Sequence, residues 1–237
     1  GQNLFYAGGN NVGLRWAIEA GADWVVVLNN DTVVAPDMVS WLMRAAGALP
    51  KTGIVAPLVY WGGQAGRIWS MGSRRRWWLP FPRDVGKGDM DHGQYAEAFD
   101  IDYAVGCCMM ISREVLTRVG LFDPAYRMYY EDADLSARVR RAGYRVVVEP
   151  RAKVWHLVSA SAGRQAPLSC YQKTRYRVRF YRQHTAGAWL WPACAMLSAQ
   201  ELVRVAGHWM HRAPDLASAR WRGLRDGLKE RIDTHGG

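Results

Sequence analysis

The chain has 237 residues, of which 49% are hydrophobic and 22% are charged, and its formal net charge is +10 at pH 7. This length and balance predict a large folded domain with an appendage, and they exclude a chain that is disordered throughout. The four cysteines include no C-x-x-C pair, which argues against a zinc site and a disulfide framework.

The excess positive charge lies near the C-terminus. Residues 157–237 carry 13 Lys and Arg against 5 Asp and Glu, whereas residues 1–156 are nearly neutral. A basic region of this kind predicts an anionic partner, which can be phospholipid head groups, a lipid diphosphate or nucleic acid. A solvated basic helix without a partner is the alternative.

The first 60 residues alternate between the helix and strand periodicities. The predicted order is helix 11–20, strand 22–28, helix 37–48 and strand 53–57. The strand over 22–28 is apolar on both faces, as is typical of a central strand in a parallel sheet. The alternation favours an α/β domain.

Residues 61–98 are rich in Gly, Trp and Arg and lose this periodicity, which predicts a long functional loop or partial disorder. The elements predicted after it are a strand-like run 101–111, helices 113–119 and 131–142, and strands 144–148 and 153–156. A basic, aromatic segment follows over residues 171–184, and then an apolar run over 186–199 that is broken at Pro192. That run is too short to span a membrane, which takes roughly 20 residues. We expect a catalytic domain over residues 1–160 and a helical region over 161–237.

A polar triplet, Asn29, Asn30 and Asp31, follows the first predicted strand. Ligands of open α/β sheets bind at the carboxyl ends of strands, and Asp31 can hold a divalent cation together with diphosphate oxygens and waters. A turn or helix N-cap is an equally weighted alternative. His156 ends a later strand; a lone histidine is more often a core or surface residue, but together with Asp31 it becomes a candidate metal ligand.

An acidic cluster, Glu131, Asp132 and Asp134, opens the predicted helix 131–142. Crowding and desolvation would raise the proton affinity of one carboxylate and make it a general base. Simple complementarity with the helix dipole is the alternative interpretation.

Several short segments, in this order and spacing over roughly residues 1–185, resemble the family 2 glycosyltransferases with a GT-A fold, especially the bacterial rhamnosyltransferase-like members. The segments are 7–13 (AGGNNVG), 28–32 (LNNDT), 102–111 (DYAVGCCMMI), 119–123 (VGLFD), 130–135 (YEDADL), 142–144 (AGY), 150–152 (PRA) and His156. The resemblance implies a mostly parallel α/β sheet flanked by helices, with a helical C-terminal appendage.

The resemblance also implies roles for individual residues. Asp31 and His156 would hold Mg²⁺ or Mn²⁺ against the diphosphate of the donor, and Asp132 would be the base of an inverting displacement. Gly106 would let the backbone approach donor or acceptor closely, although a strand bulge is as good a reading. The implied sets are Asn10, Asn29, Asn30, Asp31 and Gly106 on the donor side, Glu131 and Asp132 as the catalytic pair, and Trp77, Trp78, Asp102 and Tyr130 on the acceptor side.

The family's first strands, which receive the nucleobase and ribose, are not found before Gly1. We therefore expect a domain that is truncated at its N-terminus, and a chain that by itself binds donor poorly and turns over slowly.

The sequence thus predicts transfer of a sugar from a dTDP- or UDP-linked donor, with dTDP-rhamnose the leading candidate. The acceptor would be lipid-linked or a polysaccharide, in bacterial cell-surface and cell-wall glycan synthesis. The alternative is a non-catalytic glycosyltransferase remnant that binds a membrane or a partner through its basic tail.

The C-terminal region predicts a peripheral location on the cytoplasmic face of the cell membrane, against anionic lipids. The residues on which this rests are Trp189, Trp191, Trp209, Arg204, Arg212, Arg220, Arg222 and Arg225. A helical hairpin packed on the body is the alternative. Nucleic-acid binding is not favoured, because the cluster follows an acidic site and carries no RNA-binding signature.

Overall fold

The computed structural model describes residues 3–76, 79–157, 166–185 and 187–231. They belong to two compact units. The first contains residues 3–76, 81–127 and 131–157, and the second contains residues 79–80, 128–130, 166–185 and 187–231.

The first unit is an α/β unit. Its helices are α1 (Phe5–Glu19), α2 (Met38–Ala48), α3 (Arg113–Arg118) and α4 (Glu131–Arg141). The strands are β1 (Trp24–Leu28), β2 (Thr32–Val34), β3 (Thr52–Trp61), β4 (Ile68–Ser70), β5 (Ser73–Arg76), β6 (Leu79–Asp84), β7 (Phe99–Asp100), β8 (Cys108–Ser112) and β9 (Arg145–His156). The first two residues of β6 are assigned to the second unit.

Within the described ranges, seven strands form one mixed sheet in the order β1-β8-β3-β9-β2, with β4 added to β3 and β7 added to β9. Strands β3 and β9 pair in parallel, and β1 runs in the same direction. Strand β8 lies between β1 and β3 and is antiparallel to both. The predicted α/β fold with a parallel core is confirmed, and the antiparallel strands make the sheet mixed.

Helices cover both faces of this sheet. Along β3, Ile54 belongs to an apolar cluster with Leu14 of α1 and Leu135 of α4. Its neighbour Val55 belongs to a second cluster with Leu42 of α2. Successive residues of a strand point to opposite faces, so β3 is apolar on both sides, as its buried residues require.

Several element boundaries differ from the sequence-based expectation. Helix α1 begins at Phe5 rather than near residue 11, because burial of Ala7 and Leu14 offsets the low helix propensity of the glycines between them. The two strands predicted over 144–148 and 153–156 are one strand, β9, with an irregular register beside Pro57. Of the predicted run 101–111, the part that forms a strand is in β8.

The irregular stretch predicted over residues 61–98 contains the short strands β4, β5 and β6. Strands β5 and β6 form a two-stranded sheet of their own. Strand β5 reads SRRR and therefore lacks the alternation of apolar and polar residues by which a strand is predicted from sequence.

The second unit is helical. Its helices are α5 (Pro167–His184), α6 (Leu190–Met210) and α7 (Pro214–Lys229), and a single 3₁₀ turn over Gly187–Trp189 precedes α6. Helices α5 and α7 approach closely: a Cβ at Gly223 or Gly227 would lie within 3.0 Å of backbone carbonyl oxygens of α5. The break predicted at Pro192 is wrong, because Pro192 lies in the first turn of α6, where a missing N–H leaves no helical hydrogen bond unmade.

A buried carboxylate ties the three helices together. Glu201 of α6 is 1% exposed and binds Arg177 of α5, Arg220 of α7 and Arg204 of its own helix at 2.6–2.9 Å. A carboxylate can remain charged in this position because three guanidinium groups compensate its desolvation. In the described part of the chain no helix is both long and apolar enough to cross a membrane.

Candidate active site

The predicted polar triplet forms the turn that follows β1. The N–H of Asn29 donates to the carbonyl of Cys107 at 2.9 Å, and Thr32 Oγ1 donates to the carbonyl of Asn29 at 2.7 Å. Asn29 is half-buried and Asn30 is exposed. The side chain of Asp31 is 41% exposed, so a ligand can reach its carboxylate.

The structure brings Asp31 and His156 together, although 125 positions separate them in the sequence. His156 is the last residue of β9 and pairs with Thr32 of β2. The N–H of Leu157 donates to the Asp31 carbonyl at 2.8 Å and extends this pairing. As a result His156 Nε2 lies 3.1 Å from Asp31 Oδ1.

This pair fits part of the shell of a divalent cation. Two ligands that each lie about 2.1 Å from an octahedral ion are about 3.0 Å apart, close to the observed separation. The rings of Trp69 and His156 pack in a T-shaped arrangement at 4.6 Å between centroids, and His156 Nδ1 is buried without a hydrogen-bond partner. No group of three or more His, Cys, Asp or Glu that could hold a metal occurs among the residues described. Water and ligand oxygens would therefore have to complete the shell.

The two carboxyl groups at the start of α4 have different surroundings. Asp132 accepts the N–H of Gly106 at 2.8 Å and its neighbour Ala133's N–H at 2.7 Å, whereas Glu131 Oε2 is buried without a partner. Burial, followed by the charge of Asp132, raises the pKa of Glu131 to about 8. Burial also raises the pKa of Asp132, and its two N–H donors oppose this. Asp132 therefore ionises first, and Glu131 keeps its proton at pH 7.

Gly106 connects Asp132 to a residue that the sequence motifs did not indicate. The hydroxyl of Tyr6 donates to the carbonyl of Gly106, the residue whose N–H binds Asp132. A Cβ at Gly106 would lie 3.0 Å from Tyr6 Oη and 3.3 Å from Asp132 Oδ2. Burial, with the charges of Asp132 and Glu131, raises the pKa of Tyr6, so its hydroxyl remains a donor.

The Asp31 turn and the Asp132 carboxylate are neighbours across Cys107. The carbonyl of Cys107 holds Asn29, and the preceding residue, Gly106, holds Asp132. Burial is the main cause that raises the pKa of the Cys107 thiol, and the charges of both Asp132 and Asp31 add to it. The structure thus brings the Asp31–His156 pair and the Glu131–Asp132 pair into one site.

Other residues predicted for the site lie in different environments. Asn10 is on α1 and donates to the carbonyl of Tyr6 at 2.9 Å. Asp102 accepts the N–H of Arg75 at 2.6 Å and pairs with Arg140. Its carboxylate is therefore already engaged by this chain.

The aromatic residues predicted on the acceptor side fall in two groups. Tyr130 belongs to the second unit, where its ring packs against Phe180 at 5.6 Å between centroids. Tyr129 and Tyr130 have φ values of 77° and 71°, in the left-handed region that bulky residues rarely adopt. Trp77 and Trp78 lie outside the described residues.

The first unit has the architecture of the GT-A glycosyltransferases. A crystal structure of GalNAc-T7 with UDP, GalNAc and Mn²⁺ superposes on 78% of this chain and 38% of that chain, with a TM-score of 0.54 and 16% sequence identity. At this identity the likeness shows the fold alone. The family described as "Glycosyltransferase like family 2" matches residues 7–178, so the chain belongs to this family, as the sequence motifs predicted.

The chain is also similar to two named glycosyltransferases. An N-acetylglucosaminyl-diphospho-decaprenol L-rhamnosyltransferase of Mycobacterium tuberculosis is 27% identical over 197 residues, which cover 72% of this chain and 58% of that protein. A low-salt glycan biosynthesis hexosyltransferase of Haloferax volcanii is 29% identical over 147 residues, 60% of this chain and 45% of that protein. The chain thus spans about half the length of these relatives.

Proposed function

We propose that this chain is the catalytic part of a metal-dependent, inverting glycosyltransferase with a nucleoside-diphosphate sugar as its donor. The observation that carries the proposal is the Asp132 carboxylate, which two backbone N–H groups hold next to the turn of Asp31 and His156. The Asp132 carboxylate suits a general base, and the Asp31–His156 pair suits a cation that binds the diphosphate of a donor.

In the proposed reaction an acceptor hydroxyl attacks the anomeric carbon of the donor sugar. The new C–O bond forms as the bond to the diphosphate breaks, so the anomeric configuration inverts. Asp132 takes the hydroxyl proton, and its Gly106 and Ala133 donors hold the carboxylate in place. Neutral Glu131 adds no second negative charge beside the base.

Asp31 and His156 are the residues that would hold Mg²⁺ or Mn²⁺. When bound, the ion would offset the negative charge that develops on the leaving diphosphate. Because these residues supply two ligands, the donor diphosphate itself would supply others, and ion and donor would then bind together.

The mycobacterial relative supports a rhamnosyl donor, dTDP-rhamnose, with UDP-sugars as the second choice, and an acceptor that is a lipid-linked diphosphate or a growing glycan. Such acceptors belong to bacterial cell-wall and surface-glycan synthesis. We therefore place the protein on the cytoplasmic side of the cell membrane, in contact with anionic lipids.

A donor-turnover assay tests the base assignment. With Mn²⁺ and a set of dTDP- and UDP-sugars, we expect Asp132→Asn to lower release of the nucleoside diphosphate by about 10²–10⁴-fold, since the general base is removed. Asp89→Asn is the matched control, because Asp89 is an exposed aspartate in the same unit. Equal turnover by wild type and Asp132→Asn would refute the assignment, and absence of turnover with every donor would favour the non-catalytic alternative.

A further inference from the structure

The outward face of α6 is apolar along the whole helix. Ten of its residues are exposed, and nine of these are Trp, Pro, Ala, Leu, Val or Met; Arg204 is the tenth. At about 100° per residue the nine fall within an arc of about 120°. The largest are Trp191, Leu202, Val203, Trp209 and Met210, which are between 46% and 79% exposed. A continuous exposed apolar face of this length indicates a binding surface.

The inward face of the same helix carries a charged network. Ala193, Leu197 and Glu201 are buried there, and Glu201 binds arginines of all three helices. A helix with this network on one side cannot be surrounded by lipid, because the buried charges would lose their partners. Its 21 residues, about 30 Å in length, can instead lie flat in an interface with the outward face against the apolar phase.

Tryptophans stand at both ends of this face. Trp191 is at its beginning and Trp209 is at its end, and they are 79% and 59% exposed; Trp189, in the 3₁₀ turn just before the helix, is 50% exposed. Indole rings favour the head-group level of a bilayer, where the ring is in an apolar phase and its N–H reaches water or lipid oxygens.

The net positive charge of the helical unit favours an anionic membrane, rather than a second copy of the chain, as the partner of this face. Residues 166–231 carry twelve Lys and Arg against four Asp and Glu. Two copies that met through this unit would bring like charges together, whereas anionic head groups complement them. The exposed basic residues include Arg212, Arg222 and Lys229, while Arg220, which the sequence also suggested for lipid contact, is bound to Glu201.

From these observations we propose that α6 lies in the plane of a membrane that carries anionic lipids, with its outward face inserted at the head-group level. This deepens the membrane association that is part of the proposed function. It is independent of the transfer reaction, because it requires neither donor nor acceptor.

Co-sedimentation of the full chain with vesicles tests this inference. We expect binding to phosphatidylcholine vesicles that contain phosphatidylglycerol, and weaker binding without it. The double variant Trp191→Ser/Trp209→Ser should bind about tenfold or more weakly, since two large apolar side chains no longer enter the interface. Trp16→Ser is the matched control: Trp16 is 71% exposed on α1 of the other unit, and its loss should leave vesicle binding unchanged.

Two results would overturn the inference. One is equal vesicle binding by wild type and the double variant, with thermal unfolding showing that both are folded. The other is no vesicle binding by wild type together with a dimer, seen by sedimentation velocity, that the double variant loses; the face would then be a self-association surface. Because no donor is present in the assay, these results do not depend on whether the chain transfers sugar.

Discussion

Asp132 and Glu131 are adjacent in the sequence, and their hydrogen bonds decide which of them carries charge. The Asp132 carboxylate has two backbone N–H donors, and the Glu131 carboxyl has an oxygen buried without a partner. A charge on Asp132 is stabilised by these donors, and it makes a second charge on Glu131 costly. The pair therefore favours a single negative charge, placed on Asp132, which suits a reaction that needs one proton acceptor.

Titration of Glu131 tests this arrangement. In wild type we expect its pKa to be about 8, and in Asp132→Asn we expect a lower value because the neighbouring charge is gone. The value should remain above that of an ordinary glutamate, since burial is the larger cause of the shift. Carbon-13 NMR of the Glu131 carboxyl measures both values; an unchanged or higher pKa in the variant would contradict the coupling.

The raised pKa of Glu131 also affects how the free energy of unfolding depends on pH. The folded chain keeps the Glu131 proton up to about pH 8, whereas the unfolded chain loses it near about pH 4.3. Between these limits the native state binds more protons, so the contribution of Glu131 to the free energy of unfolding falls as the pH rises. Glu131→Gln should flatten this part of the stability profile measured by urea unfolding.

Several residues of the site could be predicted from the sequence, but the hydrogen bonds between them could not. Asp31, Asp132 and His156 were found because they stand in short motifs of characteristic composition. Tyr6 was not, because its hydroxyl contacts the backbone carbonyl of Gly106, 100 positions away, and a contact to backbone requires no particular residue type at the partner position. Gly106 could be read equally well as a strand bulge until its neighbours were known.

At the scale of elements, periodicity predicted the pieces whose burial is regular. Helix α4 lies close to its predicted position, and its apolar residues Leu135 and Val139 are buried. Strand β1 is also close to its predicted position, but the expectation of a central strand in a parallel sheet is wrong. It lies at the end of the strand order, antiparallel to β8, and Val27 is its one buried residue. The sequence could not show that Thr32–Val34 pairs with the end of β9, and this pairing is what brings Asp31 to His156. Pairing partners of short strands are set by the whole sheet rather than by local sequence.

The three helices of the second unit should depend on Glu201. Glu201→Gln leaves three guanidinium groups without their carboxylate, and we expect it to lower the free energy of unfolding by about 3–5 kcal/mol. Urea unfolding followed by helical circular dichroism measures this loss.

Glu230→Gln is the control for that variant. Glu230 binds Arg175 and Arg179 in the same unit but is 14% exposed and lies just after α7, so we expect a smaller loss. A loss for Glu201→Gln that is no greater than for Glu230→Gln would contradict the role of the buried cluster.

Burial opposes ionisation of Glu201, but the bond from Arg220 and the charges of the three arginines lower its pKa. Its stabilisation is therefore present above the pKa of an unfolded glutamate and is lost as the pH falls through the lower, folded value.

At the scale of the whole molecule, charge and chemistry belong to different parts of the chain. The residues proposed for catalysis and metal binding are in the α/β unit, and the basic excess is in the helical unit. The sequence predicted this division from its charge counts. It could not show that several arginines neutralise Glu201 and Glu230, nor that the exposed face of α6 is apolar, because both depend on which side of each helix is buried.

The central claim, inverting sugar transfer, is tested most directly by the anomeric configuration of the product. With an α- or β-linked nucleotide sugar, Mn²⁺ and an acceptor alcohol, proton NMR of the first-formed glycoside reports the configuration at the anomeric carbon. We predict a product of opposite configuration to the donor, formed only with the metal present and not after EDTA is added. A product that retains the donor configuration, or the same rate with EDTA, would contradict the account.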